Sequence, residues 1–293
     1  MSLKNILTSD RPVVSFELFP PKSDAGVDDL MKNVGELAEL SPDFYTCTYG
    51  AGGSTRDRTL DVTRRVREQT STPTASHLTC VGSTRDELRG YLKRAQEAGV
   101  DYIVALRGDP PKGEETFQAV EGGLSYANEL VELIKADFPE FGILVAGYPE
   151  VHQEAPSAEV DLENLVRKVN AGADAIVTQL FYSNDDFFRF REKCEAAGIT
   201  IPILPGLLPV LSLKQVQRIA GLCKAKLPTT FVERLSQQDS PEWQFQVGVE
   251  HAIAQAEGLV AAGIPGIHFY VLNKVTATQQ ILSAVPQLGR QTV

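Results

Sequence analysis

The segment Val13-Val14-Ser15-Phe16-Glu17-Leu18-Phe19, which ends at Pro20-Pro21, decides how the chain folds. Its β-branched and aromatic residues predict a strand, and its nearly continuous apolar character is typical of a parallel strand covered on both faces. Similar runs recur along the chain of 293 residues. The eight predicted strands cover residues 13–19, 43–49, 74–80, 101–107, 142–148, 174–181, 201–207 and 266–272.

Helical patterns with recognisable caps separate these runs. Thr84-Arg85-Asp86-Glu87 is a capping box, and the helix that it opens ends at Gly99. Further helices are predicted at 160–169, 187–197, 213–224 and 243–262.

Strands that alternate with helices until eight strands are reached predict a single (β/α)8 barrel over residues 1–293. The two helices between the seventh and eighth strands predict an elaborated crossover. A doubly wound open sheet is the alternative. It usually has fewer strands, and the chain contains neither G-x-G-x-x-G nor G-x-x-x-x-G-K-[ST].

Composition and charge predict a cytoplasmic protein without a nucleic-acid or membrane partner. The formal net charge of −10 argues against a nucleic-acid surface, which needs a basic patch. No apolar stretch approaches the roughly 20 residues of a membrane span. The 4 cysteines are widely spaced without a C-x-x-C pair, and the N-terminus lacks a secretory signal, which favours reduced thiols.

Polar residues collect where the predicted strands end. In a (β/α)8 barrel the active site is built from these ends and the loops after them. The ends carry Glu17, Thr48, Tyr49, the glycine-rich stretch 50–54, His77, Thr79, Arg107, Gly108, Asp109, residues 148–152, Gln179, Tyr270 and Asn273. The opposite strand ends show no such concentration, so we expect the active site at the carboxyl rim.

Several kinds of chemistry lack the residues that they need. The 4 histidines form no H-x-H or H-E-x-x-H pattern, so no metal site is expected. No lysine lies inside a predicted strand, which leaves Lys274 as the residual candidate for a Schiff base. There is no G-x-S-x-G elbow. The remaining set of one embedded acid, neutral donors and an Arg-Gly-Asp strand end fits an organic cofactor.

Glu17 is the candidate proton donor. A carboxylate in an apolar strand is costly unless it is paired, hydrogen-bonded or protonated. Burial raises the pKa of such a group, so we expect Glu17 to stay protonated long enough to donate. The alternative interpretation is an ion pair with a nearby lysine or arginine.

Blocks of sequence resemble the bacterial 5,10-methylenetetrahydrofolate reductases. They are FELFPPK at 16–22, TYGAGGS at 48–54, HLTC at 77–80, ALRGD at 105–109, GYPEVH at 147–152, PGLLP at 205–209 and HFYVLN at 268–273. The likeness covers nearly the whole chain in order. It implies a (β/α)8 barrel with FAD on the carboxyl rim. It also implies two half-reactions, in which NADH or NADPH reduces FAD and 5,10-methylenetetrahydrofolate is then reduced to 5-methyltetrahydrofolate.

The resemblance implies catalytic and folate-binding roles. Glu17 would protonate the folate nitrogen that leaves as the five-membered ring opens. Asp109 would stabilise the resulting cation and tune the flavin, although alone it would be interpreted as a helix cap or turn residue. Gln179 would contact the pterin and the nicotinamide, unless it is a satisfied amide in the barrel. Tyr270 and Lys274 would bind the folate, and relatives often have arginine at the position of Lys274.

The resemblance also implies FAD-binding positions. Arg107, Arg167 and Lys168 fit phosphate or ribose partners, although Arg167 and Lys168 would otherwise be interpreted as a solvated helix face. Asp161, Asn164 and Lys168 are spaced so that they share one face of a helix. The complete set is Thr48, His77, Arg107, Gly108, Asp109, Tyr126, Ala146, Tyr148, His152, Asp161, Asn164, Arg167 and Lys168.

The leading interpretation is therefore a flavin reductase of one-carbon metabolism that supplies methyl groups toward methionine synthesis. NADH is the default nicotinamide, a homo-oligomer is expected, and no C-terminal regulatory domain is expected. Another flavin barrel, such as a proline-dehydrogenase-like oxidase, is disfavoured by the block at 16–22. A relative that binds folate without flavin, or that transfers hydride without it, is the third possibility.

Overall fold

Eight parallel strands close into a barrel in the order of the sequence. The computed structural model describes residues 3–49, 56–110, 113 and 116–289. The strands are β1 Val13–Leu18, β2 Phe44–Cys47, β3 Thr74–Thr79, β4 Tyr102–Leu106, β5 Gly142–Gly147, β6 Ala175–Leu180, β7 Ile203–Leu207 and β8 Gly266–Phe269. The barrel closes where β1 pairs with β8. The predicted (β/α)8 barrel is confirmed.

Helices connect the strands and cover the outside of the barrel. They are α1 Leu3–Leu7, α2 Asp24–Glu39, α3 Arg56–Thr70, α4 Arg85–Glu97, α5 Ala127–Asp137, α6 Ala158–Asn170, α7 Asn184–Ala196, α8 Leu213–Cys223, α9 Thr229–Leu235, α10 Pro241–Ala261 and α11 Thr276–Ala284. The predicted capping box is present, since the side chains of Thr84 and Glu87 each accept the other's backbone N–H. Helices α8 to α10 lie between β7 and β8, which confirms the elaborated crossover; the short α9 was not predicted.

Aspartates mark the starts of three strands that begin later than predicted. Asp43, Asp101 and Asp174 each precede a strand instead of opening it. Their carboxylates accept hydrogen bonds from the first or second residue of the preceding strand, namely from the amides of Val14, Thr74 and Ile143 at 2.9, 3.0 and 2.8 Å. A basic side chain also pairs with each carboxylate: Arg11, Arg67 and Lys135, respectively. These aspartates thus fix the register of neighbouring strands at the amino-terminal end.

The amino-terminal mouth of the barrel is filled. Leu3 and Leu7 of α1 are buried there against the inward side chains of the strands, including Tyr102. Gly142 permits this close approach, because a Cβ at that position would lie 2.7 Å from the Cβ of Leu3. The plug leaves the carboxyl rim as the end at which a ligand can enter. Among the described residues, no helix has both the length and the apolar character needed to cross a membrane.

Candidate active site at the carboxyl rim

Glu17 lies near the carboxyl end of β1 with two imidazoles at its side chain. Its Oε2 is 3.2 Å from Nε2 of His77, on β3, and 3.5 Å from Nε2 of His268, on β8. The other ring nitrogen of His268, Nδ1, is 2.8 Å from Oγ of Ser15. Ser15 and Glu17 share a face of β1 because side chains alternate along a strand. All four side chains therefore meet inside the barrel mouth.

The expectation that Glu17 stays protonated by burial alone is wrong. Burial raises its pKa, but hydrogen bonds and charge interactions with His268 and His77 outweigh this effect and lower the pKa from 4.5 to about 2. The partners are histidines from β3 and β8, not the lysine or arginine of the alternative interpretation. In this arrangement the carboxylate of Glu17 can accept hydrogen bonds from two imidazoles.

A cleft opens at the same rim, between the ends of β4 and β5 and the helices α5 and α6. Its volume is about 440 Å³, which is in the range of small-molecule and cofactor sites. Many residues of the predicted FAD set line it: Arg107, Tyr126, Ala146, Tyr148, His152, Asp161, Asn164, Arg167 and Lys168. The predicted common face of α6 is thus the face that forms the cleft wall.

Lys168 brings a desolvated cation into the cleft wall. Its Nζ donates to the carbonyl oxygen of Ala146 at 2.5 Å and lies 5.8 Å from the ring centroid of Tyr148. Burial lowers the pKa of Lys168 to about 8, while the nearby charge of Asp161 acts in the opposite direction. A half-buried ammonium attracts an anionic group more strongly than a fully exposed lysine does.

A strained turn at Val151 lies between two residues that line the cleft, Tyr148 and His152. Val151 has a φ of 75°, which is costly for a β-branched residue. The turn brings the rings of Tyr148 and His152 to a centroid distance of 4.6 Å in an edge-on arrangement. The Nδ1 of His152 accepts the backbone N–H of Glu154, and Asp161 accepts the backbone N–H of His152. Burial and the charge of Arg107 lower the pKa of His152, which suits this acceptor role.

Glu154 is a cleft residue that the sequence did not single out. Its Oε1 lies 2.7 Å from Nη2 of Arg107, and both side chains line the cleft. The guanidinium of Arg107 also lies 5.1 Å from the ring centroid of Phe117. An acidic residue in a loop carries no distinctive pattern, so only the fold reveals that it neutralises a cation of the predicted FAD set.

Four predicted cofactor positions lie elsewhere on the rim. His77 contacts Glu17, and Thr48 follows β2, where its backbone N–H donates to the carbonyl oxygen of Leu18 at 2.9 Å. Gly108 has a φ of 92°, and a Cβ there would lie 3.0 Å from the Cβ of Thr79. Asp109 follows as an exposed residue. In the described part of the chain, none of the four lines the cleft, and residues 50–54 of the glycine-rich stretch lie outside the described residues.

The predicted folate residues occupy the opposite side of the barrel mouth. Tyr270 donates from its hydroxyl to the carbonyl oxygen of Thr178 at 2.7 Å, and its ring meets that of His268 at a centroid distance of 5.1 Å. Burial and the charge of Glu17 raise the pKa of Tyr270 well above 10, so it remains a neutral donor. Gln179 lies on β6, where its Oε1 accepts the backbone N–H of Leu180 at 2.9 Å. Lys274 is exposed in the turn after β8.

Fold and site together define a (β/α)8 barrel that carries its polar groups at the carboxyl rim, which is the organisation of barrel enzymes. The model of the methylenetetrahydrofolate reductase family matches residues 2–286. The chain belongs to this family, and the resemblance seen in its sequence blocks is confirmed.

Named relatives agree with the family assignment. The chain is 38% identical over 269 residues to the 5,10-methylenetetrahydrofolate reductase of Escherichia coli (strain K12), a match that covers 92% of this chain and 88% of that protein. It is 40% identical over 274 residues to methylenetetrahydrofolate reductase (NADH) 1 of Zea mays, which covers 90% of this chain and 46% of the maize protein. The chain thus matches less than half of the maize relative's length.

Solved structures share the fold at low sequence identity. An uncharacterized protein from Clostridium thermocellum that binds two copies of 5-methyl-5,6,7,8-tetrahydrofolic acid has a TM-score of 0.66 and 16% identity, over 98% of this chain and 96% of that one. Dihydropteroate synthase from Thermus thermophilus has a TM-score of 0.51 and 14% identity, over 95% of each chain. At these identities the likeness shows the barrel fold alone.

Proposed function

We propose that the chain reduces 5,10-methylenetetrahydrofolate to 5-methyltetrahydrofolate with NADH, through bound FAD, in a reaction that supplies methyl groups toward methionine synthesis. The observation that carries this proposal is the buried carboxylate of Glu17, held between two imidazoles at the barrel mouth, on the rim that also carries the cleft. The family assignment supports the reaction, and the name of the maize relative supports NADH as the reductant.

The cleft fits FAD by the chemistry of its walls. Arg107, Arg167 and Lys168 supply three cations that suit the two phosphates. Tyr126 stands 60% exposed at the cleft edge, where an aromatic face is available for a ring system. When bound, FAD supplies the hydride chemistry, because a flavin can accept hydride from a nicotinamide and return it to a folate.

Glu17 is the proposed general acid toward the folate nitrogen that leaves as the five-membered ring opens. The depressed pKa of Glu17 depends on its contacts with His77 and His268. A pterin that enters the barrel mouth and lengthens these contacts without breaking them weakens their effect, so that burial raises the pKa of Glu17. Glu17 can then take a proton from an imidazole and deliver it to the folate. Glu17 would thus become protonated, and able to act as an acid, only when the folate is bound.

The remaining predicted residues complete the site. Asp109 places an exposed carboxylate on the rim, where it would stabilise the cation that forms on the folate. Tyr270 lies beside His268 as a neutral hydroxyl donor and would contact the pterin with Gln179. Lys274, in the turn after β8, would meet an anionic part of the folate as a point charge.

Steady-state turnover tests the proposed reaction. In the absence of oxygen, the purified protein with FAD should oxidise more than one equivalent of NADH per flavin only when 5,10-methylenetetrahydrofolate is present, and 5-methyltetrahydrofolate should be the product by chromatography. Protein that stays colourless with added FAD, or turnover without any flavin, would overturn the cofactor assignment. Direct transfer from NADH to the folate would then replace it.

A further inference from the structure

The contact between Glu17 and His268 spans the seam at which the barrel closes. The ladder between β1 and β8 runs from Val13↔Gly266 to Phe16↔Phe269. Glu17 is the next residue of β1, so it lies just beyond the last pair of this ladder. Toward β2 the pairing continues, since Glu17 pairs with Thr46 and Leu18 with Cys47. The seam on the β8 side therefore needs another group to hold the end of β1.

The side chain of Asn273 is that group. Its Oδ1 accepts the backbone N–H of Phe19 at 2.9 Å, and its Nδ2 donates to the carbonyl oxygen of the same residue at 2.8 Å. One amide thus satisfies both polar groups of Phe19, two residues after Glu17. The segment around Glu17 is fixed at both ends, by the pair Phe16↔Phe269 before it and by this clamp after it.

The backbone that carries the clamp is itself held in an unusual conformation. Leu272 and Asn273 have φ angles of 50° and 58°, in the left-handed region. Asparagine tolerates this region, whereas a leucine there is costly. The carbonyl oxygen of Asn273 accepts a hydrogen bond from Nδ2 of Asn33, on α2, at 2.9 Å. This strained turn also ends β8 earlier than the sequence predicted, at Phe269.

We propose that Asn273 is a positioning residue for proton transfer, because its amide holds the end of β1 against β8 and so keeps Glu17 in contact with His268. The kinetic part of this inference depends on the proposed function. Displacement of a reacting group by about 1 Å can cost roughly 100-fold in rate. A loss of the clamp should therefore slow proton delivery to the folate while leaving hydride transfer from NADH unchanged.

Two variants separate the clamp from the backbone strain. Asn273→Gly keeps the left-handed turn and removes the amide, whereas Asn273→Asp keeps the shape but replaces the donor to Phe19 with a carboxylate oxygen. Gln279→Ala, an exposed change on α11, is the matched control. In anaerobic stopped-flow experiments with the FAD-loaded protein, both Asn273 variants should slow the folate half-reaction by about tenfold or more. The NADH half-reaction and the control should stay within about twofold of wild type. Equal losses in both half-reactions, or no loss in the folate step, would overturn the proposal.

Nuclear magnetic resonance of the histidine rings gives a readout that does not depend on turnover. With only 4 histidines in the chain, each ring can be assigned by substitution. The ring nitrogen resonances of His268 should move in both Asn273 variants, because the contact with Glu17 lengthens, whereas those of His251, in α10, should not. An unmoved His268 signal contradicts the clamp. A wild-type protein that reduces no folate refutes the proposed function instead, and the ring resonances then decide the clamp alone.

Discussion

The Nε2 of His77 lies 3.2 Å from Oε2 of Glu17, although the two residues belong to different strands of the barrel. His268 approaches the same oxygen from a third strand. The buried acid therefore belongs to a cluster of one carboxylate and two imidazoles from three strands.

The Glu17 contacts should make the fold sensitive to acid. Its pKa is lowered from 4.5 to about 2, so the ionised, paired form stabilises the fold fully above pH 4.5 and loses its effect as the pH falls toward 2. Glu17→Gln should remove this part of the acid dependence of unfolding, measured by denaturant titration across that range. Glu132→Gln, an exposed change on α5, is the control and should follow wild type. Parallel acid profiles for wild type and Glu17→Gln would contradict the pairing.

Removal of one imidazole should move the pH dependence of the folate step. In His77→Gln the carboxylate loses one of the two contacts that lower its pKa, so the pKa of Glu17 rises. The protonated acid then persists to higher pH, and the rate of the folate half-reaction should decline at a higher pH than in wild type. Stopped-flow rates measured as a function of pH test this shift. An unchanged profile in FAD-loaded protein would rule out His77 as a partner of the acid.

Glu154 should oppose the binding of an anionic cofactor. It forms a 2.7 Å ion pair with Arg107 inside the cleft. Glu154→Gln should free the guanidinium and tighten FAD binding roughly threefold, since partly exposed ion pairs contribute up to about 1 kcal/mol. Quenching of FAD fluorescence by the apoprotein measures the affinity. Glu192→Gln, an exposed change on α7, should leave it unchanged. Weaker binding in Glu154→Gln would instead make Glu154 a direct ligand.

Lys168 should make FAD binding dependent on pH. Its pKa is lowered to about 8, so its ammonium is charged below this value and loses its proton as the pH rises through it. The affinity for FAD should therefore fall as the pH rises above about 8, because bound phosphate raises the pKa of the ammonium and the free protein loses its proton first. Lys168→Met should bind FAD more weakly at pH 7 and lose most of this pH dependence. A wild-type affinity that stays flat across the range would exclude Lys168 as a phosphate partner.

The barrel could be predicted from the sequence because buried parallel strands are nearly continuous apolar runs. The exact strand starts after Asp43 and Asp174 could not be predicted. Their carboxylates accept hydrogen bonds from amides of neighbouring strands, which come close only when the sheet forms. The early end of β8 reflects the left-handed turn at Leu272, which no apolar pattern reveals.

Part of the candidate site could also be predicted from the sequence, and part could not. The cleft residues of α6 followed from their helical spacing and from the resemblance, and Lys168 is among them. The partners of Glu17 could not be predicted, because His268 is separated from it by 251 positions and meets it only when the barrel closes. Without these imidazoles, elementary reasoning about burial gives the wrong direction for the pKa of Glu17.

The most direct test of the proposed reaction is anaerobic stopped-flow absorbance of the FAD-loaded protein, mixed first with NADH and then with 5,10-methylenetetrahydrofolate. In wild type the flavin colour should bleach with NADH and return with the folate. In Glu17→Gln it should bleach at the wild-type rate and return at least about 100-fold more slowly, because the proton donor is lost. A Glu17→Gln protein that regains its colour at the wild-type rate would contradict the role of Glu17.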